Sequence, residues 1–378
     1  MSDPKVVIWR NELIPGSETF IVNQMAAMQR WTPIPIGMLR KTSALPIDPA
    51  LVLFPAGLGG LCQRRIFQRT RRNRRLTAFL ADPSIKLVHA HFGADATLVA
   101  PSVVRAGIPM VVTFHGFDAT SLATDPSGRG KRYRRRLAEL FETVEQVLAV
   151  SDFIAEKVVG LGAPREKVTV HHTGVPLATA GTTAGPREGI LFVGRLVDKK
   201  GVADLLRAVS LLPTDLRQTT IVLIGDGPLR PELEAAAATM RLNCQFRGTL
   251  STAEVRHAFE RAALFCAPSK TAASGDSEGL PTTVVEAAAH GLPIVSTLHA
   301  GIPEAVVQGV TGILVPEADP LALMHALERL LRDTTVAEKM GSAGREHIAR
   351  GFDIARQTAK LERVYDAVSS QRGTLAAR

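Results

Sequence analysis

The sequence predicts an α/β protein made of two parallel, doubly wound sheets in succession. Three observations carry the prediction. Short buried-type apolar runs alternate with helical stretches through both halves of the chain, the pattern of a parallel sheet with helical crossovers. Several runs end on glycine, as in Ile190-Leu-Phe-Val-Gly194 and Thr220-Ile-Val-Leu-Ile-Gly225, where a strand turns toward a helix. Residues 177–189, rich in Ala, Thr, Gly and Pro and without apolar periodicity, separate the halves. A length of 378 residues suits two domains of ordinary size: 1–176, a linker over 177–189, and 190–351, then a last helix over 352–368 and a tail from 369 to 378.

In chain order, Lys5-Val-Val-Ile-Trp9 is the first strand, Asn11 to Ser17 a turn-rich loop, and Glu18 onward a helix. Residues 62–75 carry seven arginines (Arg64, Arg65, Arg69, Arg71, Arg72, Arg74 and Arg75) and read as one basic helical patch. Lys131-Arg-Tyr-Arg-Arg-Arg136 is a second basic run in the same half. Such a surface suits anionic lipid headgroups or a lipid-linked diphosphate; the plainer reading is a solvated helix face. Ile85-Lys-Leu-Val-His-Ala-His-Phe-Gly93 is a strand with His89 and His91 on one face, and no third ligand stands at metal-binding spacing. Pro109 to Asp118 is a strand and its terminal loop, which puts His115 at the carboxyl edge of the sheet, where open α/β sheets bind ligands. Asp118 either fixes that loop or caps the next helix. Val144 to Ile154 is a strand followed by a cap at Ser151 or Asp152. Lys167 to Pro176 ends the half as a strand with His171 and His172 on opposite faces.

In the second half, the strand 190–193 delivers Gly194-Arg195, and Gly201 opens a helix. Arg195 and Lys200, with Lys199 beside it, flank one strand-to-helix turn. That pairing suits a diphosphate, since Arg grips with a planar fork and Lys supplies a point charge. Gly225-Asp-Gly-Pro lacks the third glycine and the later acidic residue of a dinucleotide fingerprint, which argues against NAD. The most informative stretch is Glu278-Gly-Leu-Pro-Thr-Thr-Val-Val-Glu286. Pro281 marks a helix start, and Gly291 and Pro293 its end. Gly279 allows close approach to the backbone, and the N–H groups of the first turn form an anion site. Glu286 lies roughly 7–8 Å along the helix axis and leans back toward its tip. A hexose, a diphosphate and a ribose in series would meet a carboxylate, an anion site and a second carboxylate. The plainer reading is an amphipathic helix with a surface glutamate.

Composition narrows the function classes. The hydrophobic content of 46% is globular, and a net charge of +9 points to an acidic partner. With 5% aromatic residues and no nucleic-acid module, nucleic acid is not the expected one. Cys62, Cys244 and Cys266 are scattered and read as core thiols of a reducing compartment. Neither a signal peptide nor a membrane-spanning segment is expected.

Glu278 to Ser296, with its Glu-(x7)-Glu spacing, resembles the signature of the retaining family 4 glycosyltransferases. Gly194-Arg-Leu-Val-Asp-Lys-Lys-Gly201 resembles their phosphate-binding segment, and His115-Gly-Phe-Asp118 the loop beside the donor sugar. Gly275-Asp-Ser-Glu-Gly279 is similar to the colanic acid and amylovoran branch. The resemblance implies a GT-B fold, two Rossmann-like domains facing across a cleft, with the last helix crossing back onto the first. It implies transfer of a hexose from a UDP- or GDP-sugar to a glycan or lipid-linked hydroxyl, with retention and without a metal or other cofactor. Arg195, Lys200 and the helix tip would meet the leaving diphosphate, Glu278 the hexose, Glu286 the ribose and His115 the outer sugar hydroxyls. Donor contacts would come also from Gly16, Gly194, Gly279, Leu280 and Pro281, and base contacts from Arg247, Gly248, Thr249 and Leu250. The implied setting is exopolysaccharide synthesis in the cytoplasm, with a peripheral station on the inner membrane face. The alternative is a catalytically silent subunit of the same fold. A retaining glycosidase, with carboxylates about 5–5.5 Å apart, fits this spacing less well.

Overall fold

A computed structural model of the chain describes residues 3–13, 16, 18–40, 45, 47–178 and 186–376, the last six by backbone only. Two compact units emerge: Met1–Gly174 with Ile354–Arg378, and Val175–Asp353. Of the expected linker, residues 179–185 lie outside the described residues. Its end is tied into the second unit, where Arg187 donates to the carbonyls of His290 and Gly291 and Glu188 N–H to Arg261 O.

The first unit carries a seven-stranded parallel sheet, β1 (Lys5–Leu13), β2 (Thr32–Arg40), β3 (Leu51–Val52), β4 (Ile85–His91), β5 (Met110–Phe114), β6 (Gln146–Ala149) and β7 (Val168–Val170), in the order β3-β2-β1-β4-β5-β6-β7. The second carries six parallel strands, β8 (Ile190–Val193), β9 (Ile221–Ile224), β10 (Cys244–Gly248), β11 (Leu264–Ala267), β12 (Ile294–Thr297) and β13 (Gly312–Val315), in the order β10-β9-β8-β11-β12-β13. Both orders reverse direction once, between β1 and β4 and between β8 and β11. At such a reversal adjacent crossovers leave on opposite faces and open a crevice at the strands' carboxyl ends. The apolar runs of β1, β5, β8 and β11 are buried because helices cover both faces of each sheet.

Several expectations are corrected. β1 continues through Leu13, so the loop after it is shorter than the sequence suggested. β2 was not expected at all. The arginine stretch is two helices, Leu58–Thr70 and Arg74–Leu80, broken where Arg71 takes a left-handed φ of 53° and Asn73 caps the second. Cys62 is exposed, not a core thiol. His171 and His172 follow β7 instead of lying in it, and His171 Nε2 sits 3.0 Å from Gln357 O. Residues 369–376, set apart as part of a tail, continue the last helix, which runs Ile354–Ala376.

That helix completes the first unit's core. Leu361, Tyr365 and Val368 pack with Val6, Ile8, Leu87, Val111 and Leu148. Glu362, buried, accepts the backbone N–H groups of Gln29, Arg30 and Trp31, and Asp366 accepts Trp31 Nε1–H at 2.9 Å.

Candidate active site

In the second unit the reversal between β8 and β11 gathers the residues the sequence singled out. β8 ends at Val193, and the chain passes through Gly194, exposed Arg195 and a short 3-10 turn, Asp198–Lys200, before the helix Val202–Ser210. Gly201 closes the turn with φ +66°; a Cβ there would lie 1.9 Å from Pro268 O. β11 leads into the loop that ends at Ser277-Glu-Gly-Leu-Pro281, all buried, and the helix begins at Thr282 with Pro281 as its N-cap. Gly279 and Pro281 stand at the helix tip, and the Leu280 side chain is in the core, so what Leu280 presents is backbone.

Glu278 is the centre of this group. Its Oε1 lies 3.2 Å from Lys200 Nζ and 3.7 Å from Lys199 Nζ. No well-aligned hydrogen bond from the described residues reaches that oxygen, so the contact is an ion pair first. Burial pushes the Glu278 carboxyl up, but Lys200 and then Lys199 outweigh it and hold it below its ordinary value. Lys199 has other partners, Asp276 Oδ1 at 3.1 Å and Ser277 O at 3.4 Å. Glu278 N–H donates to His299 Nε2 at 3.2 Å, and His299 Nδ1 faces Glu317 Oε1 at 2.6 Å. A Glu317–His299 pair, from residues just beyond β12 and β13, therefore fixes the Glu278 backbone. Sequence reasoning assigned no role to His299, Glu317 or Asp276. The position of His299 two residues past a strand's carboxyl end was the available signal.

Glu286, in the helix Thr282–Ala289, is half-buried. Burial, with no compensating cation among the described residues, pushes its carboxyl up to about 7. Arg195 makes no side-chain ion pair among the described residues. Gly248 ends β10 with φ +67°, Arg247 and Thr249 are exposed and Leu250 is half-buried, all at the same carboxyl edge of this sheet. Gly225, of the discarded dinucleotide motif, is explained by packing: its Cβ would meet Gly194 O at 2.0 Å.

In the first unit the β1/β4 reversal holds a different group. Arg10, on β1, donates its Nε–H to Glu18 Oε2 at 2.9 Å and pairs with Asp95. Its guanidinium lies over the Phe92 ring, 4.2 Å from the centroid. His115 follows β5, packed by Phe20 and Phe92, with Nε2 3.1 Å from His91 Nδ1. Burial, then Arg10 and His89, hold its imidazole well below its ordinary value, so it is neutral. Asp118 fixes the loop: its carboxylate accepts the N–H groups of Gly93, His115 and Gly116. His89 is held between Tyr365 Oη at 2.6 Å and Thr113 Oγ1 at 2.7 Å, a structural role. Among the described residues no three His, Cys, Asp or Glu side chains are grouped to hold a metal. Gly16 is an exposed turn residue, and a Cβ there would meet none of the described residues within 4 Å.

The two basic runs form one surface. Arg136 donates to Gln68 O at 2.7 Å, and Arg71 Nη2 pairs with Glu139 at 2.5 Å, joining the helix Leu58–Thr70 to the helix Gly128–Thr143. Arg71 is thus turned inward and leaves the predicted patch. Arg65, Arg69, Arg72, Arg74 and Arg75 are exposed and Arg64 half-buried. Lys131, Arg132 and Arg135 are exposed on the second helix. Leu58, 83% exposed, and Ile66, 62% exposed, stand among them.

Comparison with known proteins accounts for both halves. The profile of glycosyl transferases group 1 matches residues 187–333, and that of glycosyltransferase family 4 matches residues 40–179. WcaL of Salmonella typhimurium, named for colanic acid biosynthesis glycosyltransfer, is 32% identical over 75% of this chain and 70% of its own length. AmsK of Erwinia amylovora, an amylovoran biosynthesis glycosyltransferase, is 34% identical over 67% of this chain and 62% of its own. Among solved structures, Anabaena HepE, crystallised with UDP and glucose, superposes with a TM-score of 0.75 at 17% identity, over 96% of this chain and 100% of its own. Sucrose-phosphate synthase of Thermosynechococcus elongatus gives 0.74 at 18% identity, over 99% of this chain and 100% of its own. The latter two speak for the GT-B fold alone. With the fold, both domain profiles and the WcaL relationship in agreement, the chain belongs to the group 1 glycosyltransferases, with a family 4 domain in its first half, and is an enzyme of that class.

Proposed function

We propose that this glycosyltransferase moves a hexose from a UDP- or GDP-sugar to a hydroxyl of a glycan or lipid-linked saccharide, in exopolysaccharide assembly. The observation that carries the reading is the Glu278 carboxylate facing Lys200 and Lys199 at the β8/β11 reversal. The relatives named for colanic acid and amylovoran biosynthesis support the setting. Lys200, Arg195 and the N–H groups of the helix that starts at Thr282 take the diphosphate. Glu278 takes the hexose, Glu286 the ribose diol, and His115 a sugar hydroxyl. Gly194, Gly279 and Gly16 let the donor approach backbone, and Arg247 to Leu250 contact the base. The departing phosphate accepts the acceptor's proton as the new bond forms on the same face, giving retention. The charge of the leaving group is met by these cations without a divalent ion. Asp198 and Asp226 are already engaged, Asp198 by Lys270 at 3.7 Å and Asp226 by Arg230 at 3.3 Å.

Calorimetric titration of a panel of nucleoside diphosphates tests the donor site. One nucleotide should bind tightly, magnesium should not change its affinity, and Glu286→Ala should weaken it. No binding by any of them would favour the silent-subunit alternative. The pH dependence is a sharper check. Glu286 is protonated below about 7, and a ribose diol that donates to it needs the carboxylate. Affinity should therefore fall about tenfold per unit as pH drops below that value. Glu286→Gln should flatten the curve. A wild-type affinity constant from pH 5.5 to 8, on the order of that whole range, would exclude a titrating role.

The basic surface docks the enzyme on anionic lipid in this reading. No helix among the described residues is long and apolar enough to cross a membrane. Leu58 and Ile66 would enter the interface while Arg65, Arg69, Arg72, Arg132 and Arg135 meet the headgroups. Replacing Arg65, Arg69 and Arg72 together by alanine should weaken binding to phosphatidylglycerol vesicles by about 100-fold, near 1 kcal/mol per arginine. Vesicle binding unaffected by that change, or by raised salt, would defeat the assignment.

A further inference from the structure

His91 has no part in the reading above, yet its contacts determine what His115 can do. It is 1% exposed, with Nδ1 3.1 Å from His115 Nε2 and a buried Nε2 that has no hydrogen-bond partner among the described residues. Both rings are neutral: burial lowers each, and Arg10 adds to the effect on both. Between two neutral imidazoles one nitrogen brings the proton and the other accepts it. Were His115 Nε2–H the donor, His91 Nδ1 would be bare and the His91 proton would sit on Nε2, a buried N–H with no acceptor. With His91 Nδ1–H as donor, the buried Nε2 is only an unused lone pair. An orphaned buried N–H is the rarer and costlier state. His115 Nε2 then accepts, and its own proton is on Nδ1. That nitrogen has no partner among the described residues and is not one of the buried unpartnered atoms.

We propose that His91 is a positioning residue that fixes His115 as its Nδ1–H tautomer, so that His115 offers the bound sugar a hydrogen-bond donor and does not act as a proton acceptor. The hydrogen bond on one ring nitrogen sets the state of the other. The surrounding packing keeps both rings from turning. The His89 ring lies 4.4 Å from that of His91, and Phe20 and Phe92 lie 5.0 and 4.4 Å from His115. The sugar contact rests on the donor-site reading; the tautomer does not.

Long-range proton–nitrogen correlation spectra of the full chain, labelled with 15N-histidine, test this directly, with His115→Gln used to identify the His115 signals. A pyridine-like Nε2 and a pyrrole-like Nδ1 are expected for His115; a pyrrole-like Nε2 would overturn the proposal. His91→Asn, whose side-chain N–H replaces Nδ1–H, should keep the signature and the donor KM. His91→Phe should average the His115 shifts and raise the donor KM roughly tenfold, the worth of one hydrogen bond. If His91→Phe does not fold, the wild-type spectrum still decides. If His115→Gln leaves the donor KM unchanged while the spectrum is as expected, the sugar contact fails and the tautomer assignment stands.

Discussion

Replacing Lys200 by alanine is expected to lower kcat by about 100- to 1,000-fold, the usual cost of removing one group that stabilises charge developing in the transition state. Lys199→Ala should cost kcat far less. The difference comes from what each ammonium already holds. Lys199 is shared among Asp276, the Ser277 carbonyl and, more distantly, Glu278. Lys200 faces Glu278 alone among the described acidic groups, so an incoming diphosphate has less to displace. The fold should survive Lys200→Ala, because Glu278 keeps Lys199 and its backbone stays tied to His299. Steady-state kinetics of the two variants beside their melting curves separates the roles. Equal kcat losses, or a larger one for Lys199→Ala, would move the diphosphate to the other lysine.

Gly201→Ala is expected to cost about 3–5 kcal/mol of stability, combining left-handed strain with overpacking. At φ +66° an L side chain is strained whatever the space, and here the new Cβ would fall 1.9 Å from Pro268 O, a backbone atom that cannot swing aside. Relief requires separating the Asp198–Lys200 turn from the segment after β11. The change should lower the melting temperature of this unit by roughly 10 °C. Both tryptophans, Trp9 and Trp31, belong to the first unit. The loss should therefore appear in circular dichroism while the tryptophan fluorescence transition stays near its wild-type midpoint. An unchanged dichroism curve would mean that the turn tolerates a side chain and that the close packing is not needed.

The part of this protein that is legible in its sequence is the part written in local spacing. The turn from Gly194 to Gly201 and the run from Glu278 to Glu286 each place their residues within one strand-to-helix junction, so pattern alone located them. The comparisons bear out the family and the fold that those runs resembled. Partners brought together across the chain were not legible: Arg10 with Asp95, His299 with Glu317, and Arg136 with Gln68, which joins two basic runs into one surface. β2 was missed for a physical reason. Pro33 and Pro35 punctuate it, and proline lacks the N–H a central strand donates. Both prolines pair side by side with Val6 and Ile8 of β1 but turn their peptide groups the other way, where Pro35 O accepts Ala50 N–H. On that flank β3 pairs only at Ile36 and Gly37, so the missing donors go unneeded.

The last helix has a consequence for how the molecule is made. Leu361, Tyr365 and Val368 belong to the same core as Val6, Ile8, Leu87 and Val111. During synthesis the ribosome therefore releases the first sheet with part of its apolar wall absent. The second unit, one unbroken stretch from Val175 to Asp353, has its whole sequence synthesised before those residues are. Domains ordinarily finish in the order in which they are translated. Here the order is inverted: the half begun first is completed last, and a nascent chain stalled before Ile354 would display the floor of β1 and β4 to whatever chaperone or neighbour it met.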